Sequence, residues 1–293
     1  MTTAIVLGDV MTDVVARLSG PIAPGSDSPA RVTVTGGGQA ANTAAWLALT
    51  GTPTAIVGRV GDDPQGSGAA GGLHEAGIQT HLSRDPERPT GTCVVLVGPA
   101  GERTMFPDAG ANDGLAPGAV PDELLVAGNH LHIAGYALLR EGSRAAARSE
   151  LERAVRGGLT VSADPSSAAL LSPAFLDLAD GSGLLLPNAE EAAALAGVSD
   201  PERAARLLAE RVAEVVVKLG EEGALWTDGR DLLRVPAEPA GALVDTTGAG
   251  DAFAAGLIAA RLFGAGPGDA LRAGCRLAAL AVATAGARPR LLE

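Results

Sequence analysis

Ten residues near the carboxyl end, Val244 to Phe253 (VDTTGAGDAF), set two acids around a turn of bare backbone. Gly248, Ala249 and Gly250 lead straight into DAFAAGLIAARLF, whose apolar spacing predicts a helix, so their N–H groups should converge on a point beyond the helix N-terminus. Such a point binds anions. Asp251, at the same helix start, is either a capping acid that stabilises the helix dipole or a base beside the bound anion. A second stretch, TGGGQAANTAAWLALTG (35–51), also presents glycine backbone at a helix start and reaches the polar Asn42. Two such openings on one sheet predict two ligands.

Other chemistries are excluded by residue type and spacing. A Walker phosphate loop needs Gly-Lys followed by Ser or Thr, and the only lysine, Lys218, is followed by Leu219. GSGAAG (66–71) fits G-x-G-x-x-G, but GDDPQ separates it from the strand ending at Val60, so it is not the turn of a dinucleotide fold. The four histidines form no zinc pattern, and Cys93 and Cys275 read as small buried residues.

The elements that must hold these residues alternate along the chain. Short aliphatic runs at 4–8, 54–61, 130–135, 159–164, 183–188 and 214–220 predict buried strands. Between them lie alanine-rich helices, such as 41–51, and 143–155, which is expected to start on a serine cap and stop at Gly157 and Gly158. That order predicts an α/β fold: a three-layer, doubly wound, mostly parallel sheet with ligands beyond the carboxyl ends of its strands. Segments of about 12–35 and 90–106 alternate more like antiparallel strands, the second with a GPAGE turn, and predict a small β-sheet lid. The chain reads as a single domain, 1–293, with that lid.

Charge bounds the partners. With 22 basic and 34 acidic side chains the net charge is −12, which favours neither nucleic acid nor anionic membrane. No apolar run is long enough to span a bilayer, and the start MTTAIVLGDV lacks the form of a signal peptide, so the cytoplasm is the expected location.

Taken together, GGGQAAN (36–42) and DTTGAGDAF (245–253) resemble the two signatures of the ribokinase-like (PfkB-type) carbohydrate kinase family. GDVMTD (8–13), VGRVGDD (57–63), GERT (101–104), GAN (110–112), PNAEE (187–191) and KLGEEG (218–223) fall in that family's order. The resemblance spans nearly the whole chain and implies phosphoryl transfer from ATP to a hydroxyl of a sugar or sugar acid. Asp251 would be the base, and the turn from Thr247 to Gly250 the anion hole.

By the same likeness, Asp13, Gly37, Gly38 and Asn42 would meet the acceptor, with Asp9 a second candidate and Arg103 reaching in from the lid. Asn188 and Glu191 match an Asn-x-x-Glu pair that organises magnesium, Asn188 also bearing on the nucleotide, although a plain helix cap is the competing reading. Lys218, Gly220 and Gly223 would lie near the nucleotide. Asp245 and Thr247 match a monovalent-cation site seen in many relatives, with carbonyls near Ala281, Thr284 and Gly286 as further ligands, so potassium is implied. Arg290 stands where ribokinase supplies a serine to that site. Gln39 and Gly135 replace a lysine and a glutamate of ribokinase, which weighs against ribose. Lid strands of many relatives pair across two subunits, implying a homodimer. A nucleoside acceptor and a noncatalytic sugar- or nucleotide-binding regulator are the alternatives; the presence of Asp251 beside an intact turn favours an enzyme.

Overall fold

The computed structural model describes residues 2–99, 101–241 and 243–289. Along the chain, β1 (Ala4–Leu7) leads to the hairpin β2 (Met11–Leu18) and β3 (Ala30–Gly37). Next come α1 (Gln39–Leu49), β4 (Thr54–Gly61), α2 (Pro64–Glu75), β5 (Gln79–Asp85) and a second hairpin, β6 (Gly91–Val97) and β7 (Arg103–Asp108). The chain then alternates through β8 (His130–Ala134), α3 (Gly135–Leu139), α4 (Glu141–Arg156), β9 (Thr160–Asp164), α5 (Phe175–Leu178) and β10 (Leu184–Leu185). It ends with α6 (Ala189–Ala196), α7 (Pro201–Leu208), β11 (Glu214–Lys218), β12 (Ala224–Thr227), β13 (Leu232–Val235), α8 (Ala249–Leu262) and α9 (Pro267–Val282).

The main sheet has the order β13-β12-β11-β10-β9-β8-β1-β4-β5. Its seven strands from β11 to β5 run parallel, and β12 and β13 extend it antiparallel. Central β1 shows why the apolar runs are continuous rather than alternating. Ala4 and Val6 enter a core with α1, α8 and α9, while Ile5 and Leu7 enter another with α4 to α7. Helices on both faces make the three layers. The chain winds one way from β1 to β4 and the other way to β8, so β1 marks the switch point beyond whose carboxyl end ligands of such sheets bind.

α8 is anchored by Phe253, Leu257 and Ile258, each buried and each contributing about 1.5–3 kcal/mol by leaving water. That burial fixes where the first turn of α8 stands. The glycines at 66–71 lie inside α2, with Gly66 against the Gly61 carbonyl, which closes the dinucleotide reading.

The 12–35 and 90–106 segments form a separate four-stranded sheet, β3-β2-β6-β7. Its central pair, β2 and β6, is parallel, which the alternation pattern did not distinguish from antiparallel pairing. α4 also starts two residues earlier than expected, at Glu141. Ser143 does not cap it but is buried and donates to the Ala137 carbonyl. Among the described residues no helix is long and apolar enough to cross a membrane.

Candidate active site

The glycine turn before α1 is close-packed. A Cβ on Gly37 would stand 2.1 Å from the Asp13 carboxylate, and Gly38, at φ 94°, has the Asp9 carbonyl 2.5 Å from where its Cβ would be. Only glycine allows β3 to pass so close to Asp13 and turn into the helix. Two of the amides at the start of α1 are already engaged by one residue: Gln39 N–H donates to Asp9 Oδ2 (3.3 Å) and Ala41 N–H to the Asp9 carbonyl (3.3 Å). The chain thus supplies its own anion here, and this opening is not the free anion site that bare backbone suggested. What faces the cleft is side chains. Asp9 Oδ1 is buried and has no hydrogen-bond partner among the described residues. Asn112 of the GAN motif holds the turn after Asp9 by bonding the Val10 N–H (2.9 Å) and carbonyl (3.1 Å).

From that turn a chain of contacts runs to α8. Arg288 donates to the Gly37 carbonyl (2.7 Å) and to Asn42 Oδ1 (3.1 Å), and Asn42 Nδ2 donates to Asp251 Oδ2 (3.0 Å). Burial pushes the Asp13 carboxyl up to about 6, partly opposed by Arg288 and reinforced by Asp9. Burial likewise pulls the Arg288 guanidinium down to about 10, against the pull of Asp13, Asp251 and Asp9.

The turn before α8 differs. Gly248 sits at φ 78° with the Ala287 carbonyl 2.3 Å from where a Cβ would be, so it too must be glycine. Yet the N–H groups of Gly248, Gly250 and Asp251 find no acceptor among the described residues, and Gly250 is open, with only Lys218 Nζ at 3.5 Å from a Cβ position. Ala249 N–H contacts the Thr246 carbonyl at 3.3 Å. Asp251 caps nothing. Burial pushes its carboxyl up to about 7; the Asn42 hydrogen bond and Lys218 oppose this, and Asp164 adds to it. Trp46 Nε1 donates to the same Ala287 carbonyl (2.9 Å), so α1, the turn and the chain after α9 meet at one atom.

Beyond the turn, Lys218 at the end of β11 donates to Asp164 Oδ2 (2.6 Å) at the end of β9. Asp164 and Glu191 outweigh burial and hold the lysine above its usual range. Asn188 and Glu191 form a reciprocal capping box on α6, each side chain bonding the other's N–H at 2.8 Å. Glu191 is nevertheless not a solvated cap: it is buried, and burial together with Asp164 raises its carboxyl to about 7 against the pull of Lys218. Gly220 faces open space, whereas Gly223, at φ 92°, is required by the chain's own backbone, with the Val235 carbonyl 2.1 Å from a Cβ position.

Asp245, just upstream, is saturated. Oδ1 accepts from Thr247 N–H (2.9 Å) and from Arg103; Oδ2 accepts from Gly286 N–H (3.2 Å) and contacts Arg17 (3.5 Å). Burial works against its charge, but these amides and Arg103 hold its carboxyl below the usual range. Arg103, expected at the acceptor, points instead at Asp245 and Thr246. Arg290 lies outside the described residues.

Two residues of the cleft were missed by sequence reasoning. Asp164 carried a signal, since it ends a predicted strand on the ligand side of the sheet. Arg288, in an irregular segment after the last helix, carried none.

Comparison with known proteins decides the family: residues 1–293 match the pfkB family carbohydrate kinases. The chain belongs to the pfkB family. Ribokinase from Arabidopsis thaliana is 30% identical over 301 residues, covering 98% of this chain and 78% of that one. Fructokinase from Klebsiella pneumoniae is 34% identical over 266 residues, covering 87% and 82%. Among solved structures, adenosine kinase from Sinorhizobium meliloti superposes with a TM-score of 0.89 at 26% identity over 99% of this chain and 96% of that one. A fructokinase double mutant from Vibrio cholerae O395, bound to fructose, ADP and a potassium ion, gives 0.84 at 26% identity over 98% and 94%. Kinases of the pfkB family use ATP, and this pfkB chain is an ATP-dependent carbohydrate kinase.

Proposed function

We propose that this kinase phosphorylates a hydroxyl of a neutral, polyhydroxylated sugar, with Asp251 as general base. The observation that carries the reading is the Asn42–Asp251 hydrogen bond, which joins the acceptor wall to the anion turn. The acceptor hydroxyl gives its proton to Asp251 while its oxygen bonds the γ-phosphorus of ATP, and the bond to the bridging oxygen breaks with its electron pair leaving on ADP. Such transfer needs positioning and charge stabilisation more than covalent help. The N–H groups of the Gly248 to Gly250 turn and of Asp251, with Lys218 behind them, would receive the charge of the transferred group. A carboxyl raised to about 7 suits a base working near neutral pH.

Asp9, Asp13 and Asn42 offer hydrogen-bond partners for sugar hydroxyls, and the unpartnered Asp9 Oδ1 is an acceptor awaiting one. Three carboxylates, Asp9, Asp13 and Asp251, surround the single Arg288, which is already bonded to Asn42 and Gly37. That balance disfavours an anionic acceptor. Tyr136, the one tyrosine, has Arg140 5.0 Å from its ring centroid, which occupies one of the faces a nucleobase would use.

On the nucleotide side, Asn188, Lys218, Gly220, Gly223 and Thr247 would meet ATP beyond the end of β11. Magnesium is content with one or two carboxylates, waters and phosphate oxygens. Glu191 beside Asp164 would hold it, since two neighbouring buried carboxyls are relieved by a cation. When bound, the ion neutralises phosphate charge.

The reading is tested by ADP release with magnesium ATP over ketoses, aldoses, sugar acids and nucleosides. Turnover confined to neutral sugars is expected. Turnover confined to sugar acids or nucleosides overturns the acceptor class, and tight binding without turnover makes the chain a regulator.

The outer face of the four-stranded sheet carries Val34, Val14, Val94 and Phe106 in one row across β3, β2, β6 and β7, with Val34 66% and Phe106 54% exposed. An apolar row this open fits a second copy of the same sheet, in keeping with the homodimer implied by the family resemblance. Light scattering at micromolar concentration should give twice the monomer mass of 29.0 kDa.

A further inference from the structure

Asp245 is where the family resemblance places a monovalent cation, but the residues present do not fit one. An ionised carboxylate has about four acceptor positions. At Asp245 two are taken by the Thr247 and Gly286 amides, and the other two face the guanidinium groups of Arg103 and Arg17. A potassium ion would have to displace a charged donor to reach either oxygen.

The arginines are placed by the smaller sheet. Arg17 on β2 is in register with Val97 on β6, and Val97 with Arg103 on β7, so all three side chains stand in one row on the same face. Asp13 on β2 lies an even number of residues from Arg17 and shares that face, toward the cleft. Arg103 also donates to Thr246 Oγ1 (3.2 Å), gripping two consecutive residues just before the anion turn.

We propose that in this chain the guanidinium of Arg103, supported by Arg17, takes the place of a monovalent cation at Asp245, so that the smaller sheet is fastened to the anion turn and turnover is independent of potassium. Arg103 and Arg17 are then positioning residues: they fix Asp245, and Asp245 fixes Thr247 and the turn that follows. This rests on the kinase reading only for its effect on turnover. The exchange of cations is a property of Asp245 alone.

The experiment compares potassium chloride with tetramethylammonium chloride at equal ionic strength, reading melting temperature and, separately, kcat/KM. For the wild type no potassium-specific rise in melting temperature is expected, and turnover should change by less than about twofold, since no saturable site exists to bind the ion. Arg103→Ala with Arg17→Ala should lose about tenfold or more in kcat/KM in tetramethylammonium, the scale of a disturbed anion hole, and recover much of it in potassium together with a new potassium-specific rise in melting temperature. Arg103→Lys, which keeps a cation near Asp245, should stay potassium-independent and serves if the double variant fails to fold. A potassium-specific melting rise or several-fold stimulation in the wild type overturns the proposal. So does a folded double variant that keeps full turnover or gains no response to potassium. If no acceptor is turned over at all, the kinase reading fails, while the melting comparison still decides the cation question.

Discussion

The two glycine turns, before α1 and before α8, look alike in sequence and do opposite things. At α1 the first amides bond Asp9, and Gly36 to Gly38 are pressed against Arg288, Asp13 and the Asp9 carbonyl. At α8 Gly248 is pressed against Ala287, but the N–H groups of Gly250 and Asp251 find no acceptor among the described residues and Gly250 has only Lys218 Nζ near it. Small residues at a helix start therefore mean either close packing or room for a ligand. The deciding fact is whether the chain brings its own anion to the amides.

The largest effect that would test this contrast is at the open turn. Asp251→Asn should lower kcat by about 10²–10⁴-fold, the range for a lost general base, with nucleotide binding retained. The pH dependence sharpens it. The base must be ionised, so kcat/KM should fall about tenfold per pH unit below about 7, a limb shared with Glu191 in the wild type.

Stability should run the other way. A carboxyl raised from 3.8 to about 7 means the folded chain holds a proton the unfolded chain has lost, so this contribution is present below about pH 4 and lost as pH rises to about 7. Asp251→Asn removes that loss, and its melting temperature relative to wild type should climb across the same window, by a few degrees at pH 8. A flat difference would contradict the desolvated, raised carboxyl.

Glycine substitutions separate the turns directly. Gly37→Ala drives a methyl into the Asp13 carboxylate and should cost about 1–3 kcal/mol of stability. Gly250→Ala meets only Lys218 Nζ at 3.5 Å and should leave the melting temperature within about 1 °C, while slowing turnover by narrowing the approach to the amides. Equal effects on stability would erase the distinction. The smallest effect is expected at Asp9→Asn, which keeps an acceptor for Gln39 but removes the charge at the α1 start, worth about 0.3–1 kcal/mol, and should raise acceptor KM more than it lowers kcat.

Much of this arrangement was legible in the sequence because its carriers are local. The strands β1, β4, β8, β9, β10 and β11 announced themselves as unbroken aliphatic runs because they are buried between the two helical layers, whereas the half-exposed edge strand β5 (QTHLSRD) carried no such run. The α8 turn was legible because glycines and an acid lie within a few residues of each other. What stayed hidden depends on contacts between distant residues. Asp9 meets Gln39 across 30 positions, and Arg288 meets Asn42 across 246. No periodicity encodes the parallel pairing of β2 with β6, which brings together strands from two separate hairpins. Ser143 had the composition of a cap, but the chain bends one turn earlier and spends its hydroxyl on Ala137.

Trp46 gives the molecule an optical handle. The chain has two indoles, and the other, Trp226 on β12, is tied to Glu214 near the β13 edge of the main sheet. With Trp226→Phe, all remaining indole emission comes from a ring whose N–H bonds the carbonyl that Gly248 also touches. Any rearrangement of the anion turn on nucleotide binding should then be visible as a change in fluorescence, without a label and before any phosphoryl group is transferred.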